Sequence, residues 1–98
     1  MPPKAYVIAQ IAQIDDQENY ACYRDLVGPT VASHSGRFLV RGGPAQRIEG
    51  DEPCGRVVII EFPSVAQAAA WYNSAEYQTA LALRLASSTG TVMIVEGT

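Results

Sequence analysis

The sequence predicts an α+β sandwich in which four antiparallel strands carry their helices on one face. Three observations lead there. Val57, Val58, Ile59 and Ile60 form a β-branched run with no polar break, which marks a strand covered on both faces. That run meets Pro63 and Ser64 and then changes to helical spacing through Val65, Ala68, Ala69 and Tyr72. Strand-like stretches stand near both ends of the chain, and a carboxylate-led stretch of helical character follows the first of them.

Taken in order, Ala5 to Ile14 (AYVIAQIAQI) is mostly apolar, and its Tyr, Val and Ile content favours a strand. Asp15, Asp16 and Glu18 then start a helix near residue 16, because carboxylates accept the free N–H groups of a first turn and complement the helix dipole. Tyr20, Tyr23 and Val27 supply its apolar face. Gly28-Pro29 is expected to break or kink it, with a second helical piece to about Ser35 and Gly36 closing it. Arg37 to Arg41 reads as the second strand. Gly42-Gly43-Pro44 cannot continue a regular ladder, so a bulge or bend is expected there, with Ala45 to Ile48 resuming the strand.

Glu49 to Gly55 is acidic and contains Gly and Pro, a solvated hairpin loop leading into the strand Arg56 to Phe62. Ser64 opens the next helix. Asn73-Ser74 interrupts it, and Ser74 caps a further helix carrying Tyr77, Leu81 and Arg84. Ser87 to Gly90 reads as a turn and Thr91 to Glu96 as the last strand. The order βαββαβ is that of the split βαβ, or ferredoxin-like, sandwich, expected here as a single domain over residues 1–98.

The composition narrows the partners. With 48% apolar and 17% charged residues, the chain is neither disordered nor polar enough for a lone small fold, and the surplus of apolar surface points to oligomerisation. A net charge of −3 with scattered Lys and Arg leaves no basic stripe for nucleic acid or an anionic membrane. No apolar run approaches membrane-spanning length, and Met1-Pro2-Pro3-Lys4 runs into the first strand without the apolar core of a signal peptide. A cytoplasmic protein is expected. Cys22 and Cys54 lie in no CxxC or Cys/His spacing and read as reduced structural thiols.

Strands one, three and four are apolar at both parities, yet the helices cover only one side of a sheet. A second copy of the same sheet is the economical cover for the other side, so a homodimer packed sheet to sheet is expected. At about 25 cal/mol per Å² of apolar surface, closing such a face is worth many kcal/mol before association costs.

The string Gly36 to Pro44 (GRFLVRGGP), followed by Val58 to Ser64 (VIIEFPS) and Ala70 to Tyr77 (AWYNSAEY), resembles the family called domain of unknown function 1330 over essentially the whole chain. The resemblance implies membership of the dimeric α+β barrel superfamily. Relatives there include small cofactor-free monooxygenases, lactone isomerases, haem proteins and proteins of no known activity. It implies fold and dimerisation but transfers no catalytic residue.

Candidate site residues come from the chain itself. His34 is the only histidine, too few for the clustered ligand sets of zinc or non-haem iron, so no metal is expected. It is either a proton-transfer group near a sheet edge or a capping residue at a helix end. Gly42-Gly43 lacks the motif and the following helix of a phosphate loop. Glu49, Asp51 and Glu52 lack calcium-loop spacing. Trp71 and Tyr77 either flank a cleft or pack, while Tyr72 falls on the buried face. No catalytic triad, nucleophile elbow or paired-carboxylate signature is present.

Counting across the hairpin from a centre near Glu49 pairs Phe38 with Ile60, Val40 with Val58, Arg37 with Glu61 and Leu39 with Ile59. Phe38, Val40, Val58 and Ile60 then face the helices together with Phe62. Arg37, Arg41 and Glu61 share the face that the dimer closes, either as a structural ion pair or as an anion-binding and proton-transferring centre. Tyr6 and Gln10 join them if strand one has the same parity, with His34 at the rim. A bulge at the Gly-Gly-Pro bend is the alternative, turning Arg37 and Arg41 toward the helices. Two functions follow: a cofactor-free enzyme or binder taking a small aromatic or carboxylated metabolite into a barrel cavity, or a non-catalytic dimeric structural or ligand-binding module.

Overall fold

The computed structural model describes residues 2–98. Its elements are β1 (Ala5–Ile14), α1 (Gln17–Ser33), β2 (Arg37–Arg41), β3 (Arg56–Phe62), α2 (Val65–Tyr72), α3 (Ala75–Ser87) and β4 (Ser88–Glu96). One antiparallel sheet holds all four strands in the order β2-β3-β1-β4. This is the expected ferredoxin-like arrangement, with the second helical region divided in two. Each helix begins on a side-chain cap: Asp16 accepts from the Asn19 N–H, Ser64 from Gln67 and Ser74 from Tyr77.

Three local expectations are corrected. Helix α1 runs unbroken through Gly28-Pro29, because Val27 and Val31 are both buried in the core and hold the turns on either side of the proline. Pro29 has no N–H to give to the Asp25 carbonyl, and tertiary packing overrides that loss. Nor does Ala45 to Ile48 resume a strand. Ile48 is 83% exposed, so nothing covers an extension of the sheet there. Finally, α3 passes directly into β4 where a turn was expected, since the hydroxyls of Ser87 and Ser88 donate to the Leu83 and Arg84 carbonyls that end the helix.

The end of α1 explains Gly36. The Ser35 N–H reaches the Ala32 carbonyl at 3.1 Å and the Gly36 N–H reaches Val31 at 2.9 Å, a paired closure in which Ser35 takes the left-handed conformation. Gly36 is needed for closeness. A Cβ at that position would stand 2.6 Å from the Phe62 ring.

The hairpin of β2 and β3 decides which side chains share a face. Arg37 lies opposite Glu61 and Phe38 opposite Ile60, as counted from the sequence, but Val40 then lies opposite Ile59 and Arg41 opposite Val58. Leu39 is therefore the extra residue of a bulge, ahead of the Gly-Gly-Pro bend where the irregularity was expected. Gly42 still takes a left-handed φ of 74° as the chain leaves the strand. Residues before Leu39 keep the counted parity and those after it change face.

The helix side of the sheet thus carries Phe38, Arg41, Val58, Ile60 and Phe62 from the hairpin, opposite Val7 and Ala5 of β1. Val40 moves to the open side. The core between sheet and helices centres on Trp71, which lies 5.3 Å from the Phe62 ring and 4.1 Å from Tyr77, centroid to centroid. Tyr72, expected in the core, is only half-buried at its border, because Trp71 takes the inward position. Cys22 and Cys54 are free thiols.

Candidate functional site

Between the sheet and helices α1 and α3 lies a cleft with an aromatic interior and a basic mouth. Helical spacing brings Tyr20, Tyr23 and Arg24 to it from α1, and Tyr77 and Arg84 from α3. Strand parity brings Arg41, Val58 and Arg56 from the hairpin.

Inside, the hydroxyls of Tyr23 and Tyr77 lie 3.1 Å apart and share a hydrogen bond. The Trp71 indole N–H donates to the Thr30 hydroxyl at 3.0 Å, which in turn donates to the Val27 carbonyl. Burial, reinforced by Tyr77, holds the Tyr23 phenol well above its ordinary pKa of 10.0, so it is a neutral donor. Burial works against the Arg84 cation, but the oxygens of Tyr77, Tyr23 and Tyr72 more than offset it and its pKa is raised. Arg84 is only 6% exposed, and its Nε has no hydrogen-bond partner. The inner cleft offers about 30 Å³ of free volume, room for about two water molecules.

Toward solvent the cleft widens into an open groove of about 410 Å³ walled by Arg24, Asp25, Arg41 and Arg56. Arg41 donates through Nη2 to the Arg24 carbonyl at 2.8 Å, and its Cζ sits 4.2 Å above the Phe38 ring. Arg56 lies 5.8 Å from the Tyr20 ring, and its buried Nε, like that of Arg84, is unpartnered. Among the described residues the only ion pairs are Lys4–Glu61 and Arg37–Glu61, so none of the four cleft arginines is paired with a carboxylate.

The open face of the sheet carries the other charged group. Arg37 Nε donates to Glu61 Oε1 at 2.9 Å and Lys4 approaches the same oxygen at 3.5 Å. Desolvation pushes the Glu61 pKa up, but Arg37 and Lys4 outweigh it and the carboxyl is held below its ordinary range. Tyr6 lies opposite Glu61 and Gln10 opposite Val57, so both share this face with Ile8, Ile59, Val40, Met93 and Val95. The patch is apolar with one ionic corner. Met93 and Val95 are 52% and 39% exposed in the single chain.

The model of the family described as domain of unknown function (DUF1330) matches residues 4–98. The chain belongs to that family. Among solved structures, this DUF1330 chain is similar to a protein of unknown function from Rhodopseudomonas palustris, with TM-score 0.79 and 18% identity, covering 100% of this chain and 85% of that one. It is similar also to a dimeric ferredoxin-like protein of unknown function from Jannaschia sp. CCS1, with TM-score 0.75 and 15% identity over 96% of this chain and 99% of that one. A third likeness is SnoaB, a cofactor-independent oxygenase from Streptomyces nogalater, with TM-score 0.68 and 7% identity over 98% and 94% of the two chains. No curated protein matches the chain by sequence. At these identities the likenesses establish the fold.

The sequence-predicted site residues are divided between three places in this DUF1330 fold. Arg37, Glu61, Tyr6 and Gln10 lie together on the open face. Arg41, expected beside them, is on the helix side, because the Leu39 bulge lies between it and Arg37. Trp71 and Tyr77 are 1% exposed and line the cleft while also packing the core. His34 lines neither region. Its Nδ1–H donates to the Thr30 carbonyl at 2.9 Å and its own carbonyl accepts from Gln67, which makes it the cap of α1.

Arg24, Arg56 and Arg84 were missed as site residues. Two of them left a signal. Arg84 falls in the stripe of α3 with Tyr77, Ala80 and Leu81, and Arg56 shares the parity of Val58 and Ile60, so each is a charge on an apolar face. Among the described residues, no group of three or more His, Cys, Asp or Glu is placed to hold a metal ion, and no helix is long and apolar enough to cross a membrane.

Proposed function

We propose that this protein is a cytoplasmic homodimer, closed through the open sheet faces, that takes a small organic molecule into the cleft between sheet and helices. The cleft itself carries the reading: an aromatic interior with a buried phenol pair and an arginine whose Nε–H is unpartnered, opening to solvent at one end. The dimer is supported by the apolar open face and by the dimeric Jannaschia protein of the same fold. Free Cys22 and Cys54 suit a reducing compartment.

The interior supplies donors rather than bases. The hydroxyls of Tyr23 and Tyr77 and the guanidinium of Arg84 are arranged to stabilise an oxygen that gains negative charge, chemistry that needs no organic cofactor of its own. SnoaB, described as a cofactor-independent oxygenase, shows that this fold can host a reaction of that economy. A binder without turnover is the second reading, favoured by one observation: neither histidine nor carboxylate lines the interior, and Asp25 stands only at the mouth.

A screen of small aromatic compounds by protein-observed NMR tests the site. Compounds that bind should shift the Trp71 indole and the Tyr23 and Tyr77 signals. Binding that moves only open-face residues such as Ile8 and Met93 would place the ligand elsewhere and end the proposal. Following substrate loss for each bound compound then separates enzyme from binder.

A further inference from the structure

Two buried guanidinium Nε–H groups, from Arg56 and Arg84, have no partner, and both side chains line the same cleft. A buried donor that faces no acceptor costs free energy, all the more so on a charged group, and native structures leave few of them. Arg84 sits 6% exposed on the inner wall and Arg56 half-buried at the mouth, so the two donors line the path a ligand would follow. Arg24 and Arg41 stand at the same mouth, and Asp25 is the one acidic side chain there. Four cations face one acid.

From this we infer that the cleft is built for an organic anion, a carboxylate on a flat apolar body, with Arg56 and Arg84 setting the specificity. The inference rests on the cleft being the binding site and adds the class of ligand. Guanidinium is the group best matched to a carboxylate, since it offers paired donors in one plane. The apolar body is required by the rings under the charges: Phe38 lies below Arg41, Tyr20 beside Arg56 and Tyr23 beside Arg84. Arg24 and Arg41 raise the local concentration of anions at the mouth and leave discrimination to the two groups with free Nε–H donors. Gly42 belongs to the same device, because the Arg56 guanidinium fills the place where a Cβ of residue 42 would stand.

The probes are benzoate, phenyl phosphate and neutral benzamide, each titrated into the full-length protein and followed by Trp71 fluorescence and NMR. Benzoate is expected to bind at least tenfold more tightly than benzamide, with its affinity falling as salt is added. Arg56→Gln should remove most of that preference. Arg84→Lys should weaken benzoate while its mass and circular dichroism stay those of wild type. Should the Arg84 variant fail to fold, Arg56→Gln, at the mouth, decides the matter alone: an unchanged preference for benzoate over benzamide overturns the assignment. Equal binding of benzoate and benzamide at cleft signals overturns the anion assignment but leaves the cleft reading standing. Phenyl phosphate binding tenfold better than benzoate overturns the carboxylate in favour of a phosphate. Probes that bind but move no cleft signal overturn the cleft reading itself.

Discussion

The guanidinium of Arg56 occupies the space beside Gly42 in which the Cβ of any other residue would stand. Gly42 also holds a φ of 74°, a backbone state costly for residues with a side chain. The strand end and the cleft mouth are thereby one unit: the residue that lets the chain leave β2 is the residue that seats a cleft arginine.

Gly42→Ala should therefore lower stability by about 1–3 kcal/mol, seen as a fall of several degrees in Tm, and should shift the Arg56 side-chain NMR signals. Its neighbour behaves differently. A Cβ at Gly43 meets nothing within 4 Å and the φ is ordinary, so Gly43→Ala should change stability by no more than about 0.5 kcal/mol. Equal losses at both positions would contradict this account of the bend.

The open face gives the test of assembly. Met93 is opposite Ile8 at the middle of that face and 52% exposed in the single chain. Met93→Glu would place an unpaired charge inside a sheet-to-sheet dimer, at a cost of about 2–5 kcal/mol, so the dimer should weaken by more than tenfold. Light scattering at micromolar concentration should show dimers for wild type and monomers for the variant, with matching circular dichroism. A variant mass equal to wild type would exclude packing through this face.

Glu61 predicts an acid limb. Its folded pKa lies below the unfolded one because Arg37 and Lys4 favour the carboxylate, so the native state binds fewer protons. The stabilisation is therefore complete above the ordinary carboxylate pKa of about 4.3 and is lost as pH falls through the lower folded value. Glu61→Gln should flatten that part of the stability profile measured by urea unfolding. An unchanged acid limb would show that the ion pair contributes nothing in solution.

At the alkaline end the sign is reversed. Tyr23 has a raised folded pKa, so the native state keeps its proton longer than the unfolded chain does. Its contribution is fully present below about pH 10 and is lost as pH rises toward the folded value. In a phenolate absorbance titration, fewer than the five tyrosines should ionise before the protein unfolds. Tyr23→Phe should leave the early-ionising count unchanged, whereas a loss of one early group would mean that Tyr23 titrates normally.

Much of this fold can be read from local chemistry. The β-branched run of β3, the caps Asp16, Ser64 and Ser74, and the order of elements all follow from neighbours within a few residues, and the structure has them in those places. The count from Glu49 arrives at Arg37 opposite Glu61 because the extra residue at Leu39 offsets a one-residue shift in the pairs nearer the turn, Val40 with Ile59 and Arg41 with Val58. The continuity of α1 through Pro29 cannot be read locally. It depends on Val27 and Val31 being buried by other elements, which no local signal reports.

The site divides along the same line. Sequence alone determined which residues carry charge and that Tyr77, Leu81 and Arg84 belong to one helix, since composition and helical spacing are local properties. Only the tertiary structure decided which charges meet. Alternation in a strand has period two, so the single extra residue at Leu39 reverses the face of everything after it and carries Arg41 from the ionic corner of the open face to the cleft. That the Nε–H groups of Arg56 and Arg84 lack partners is likewise a matter of distance across the fold: such a donor is satisfied or not only with respect to what other elements bring beside it, and here they bring aromatic rings and no carboxylate.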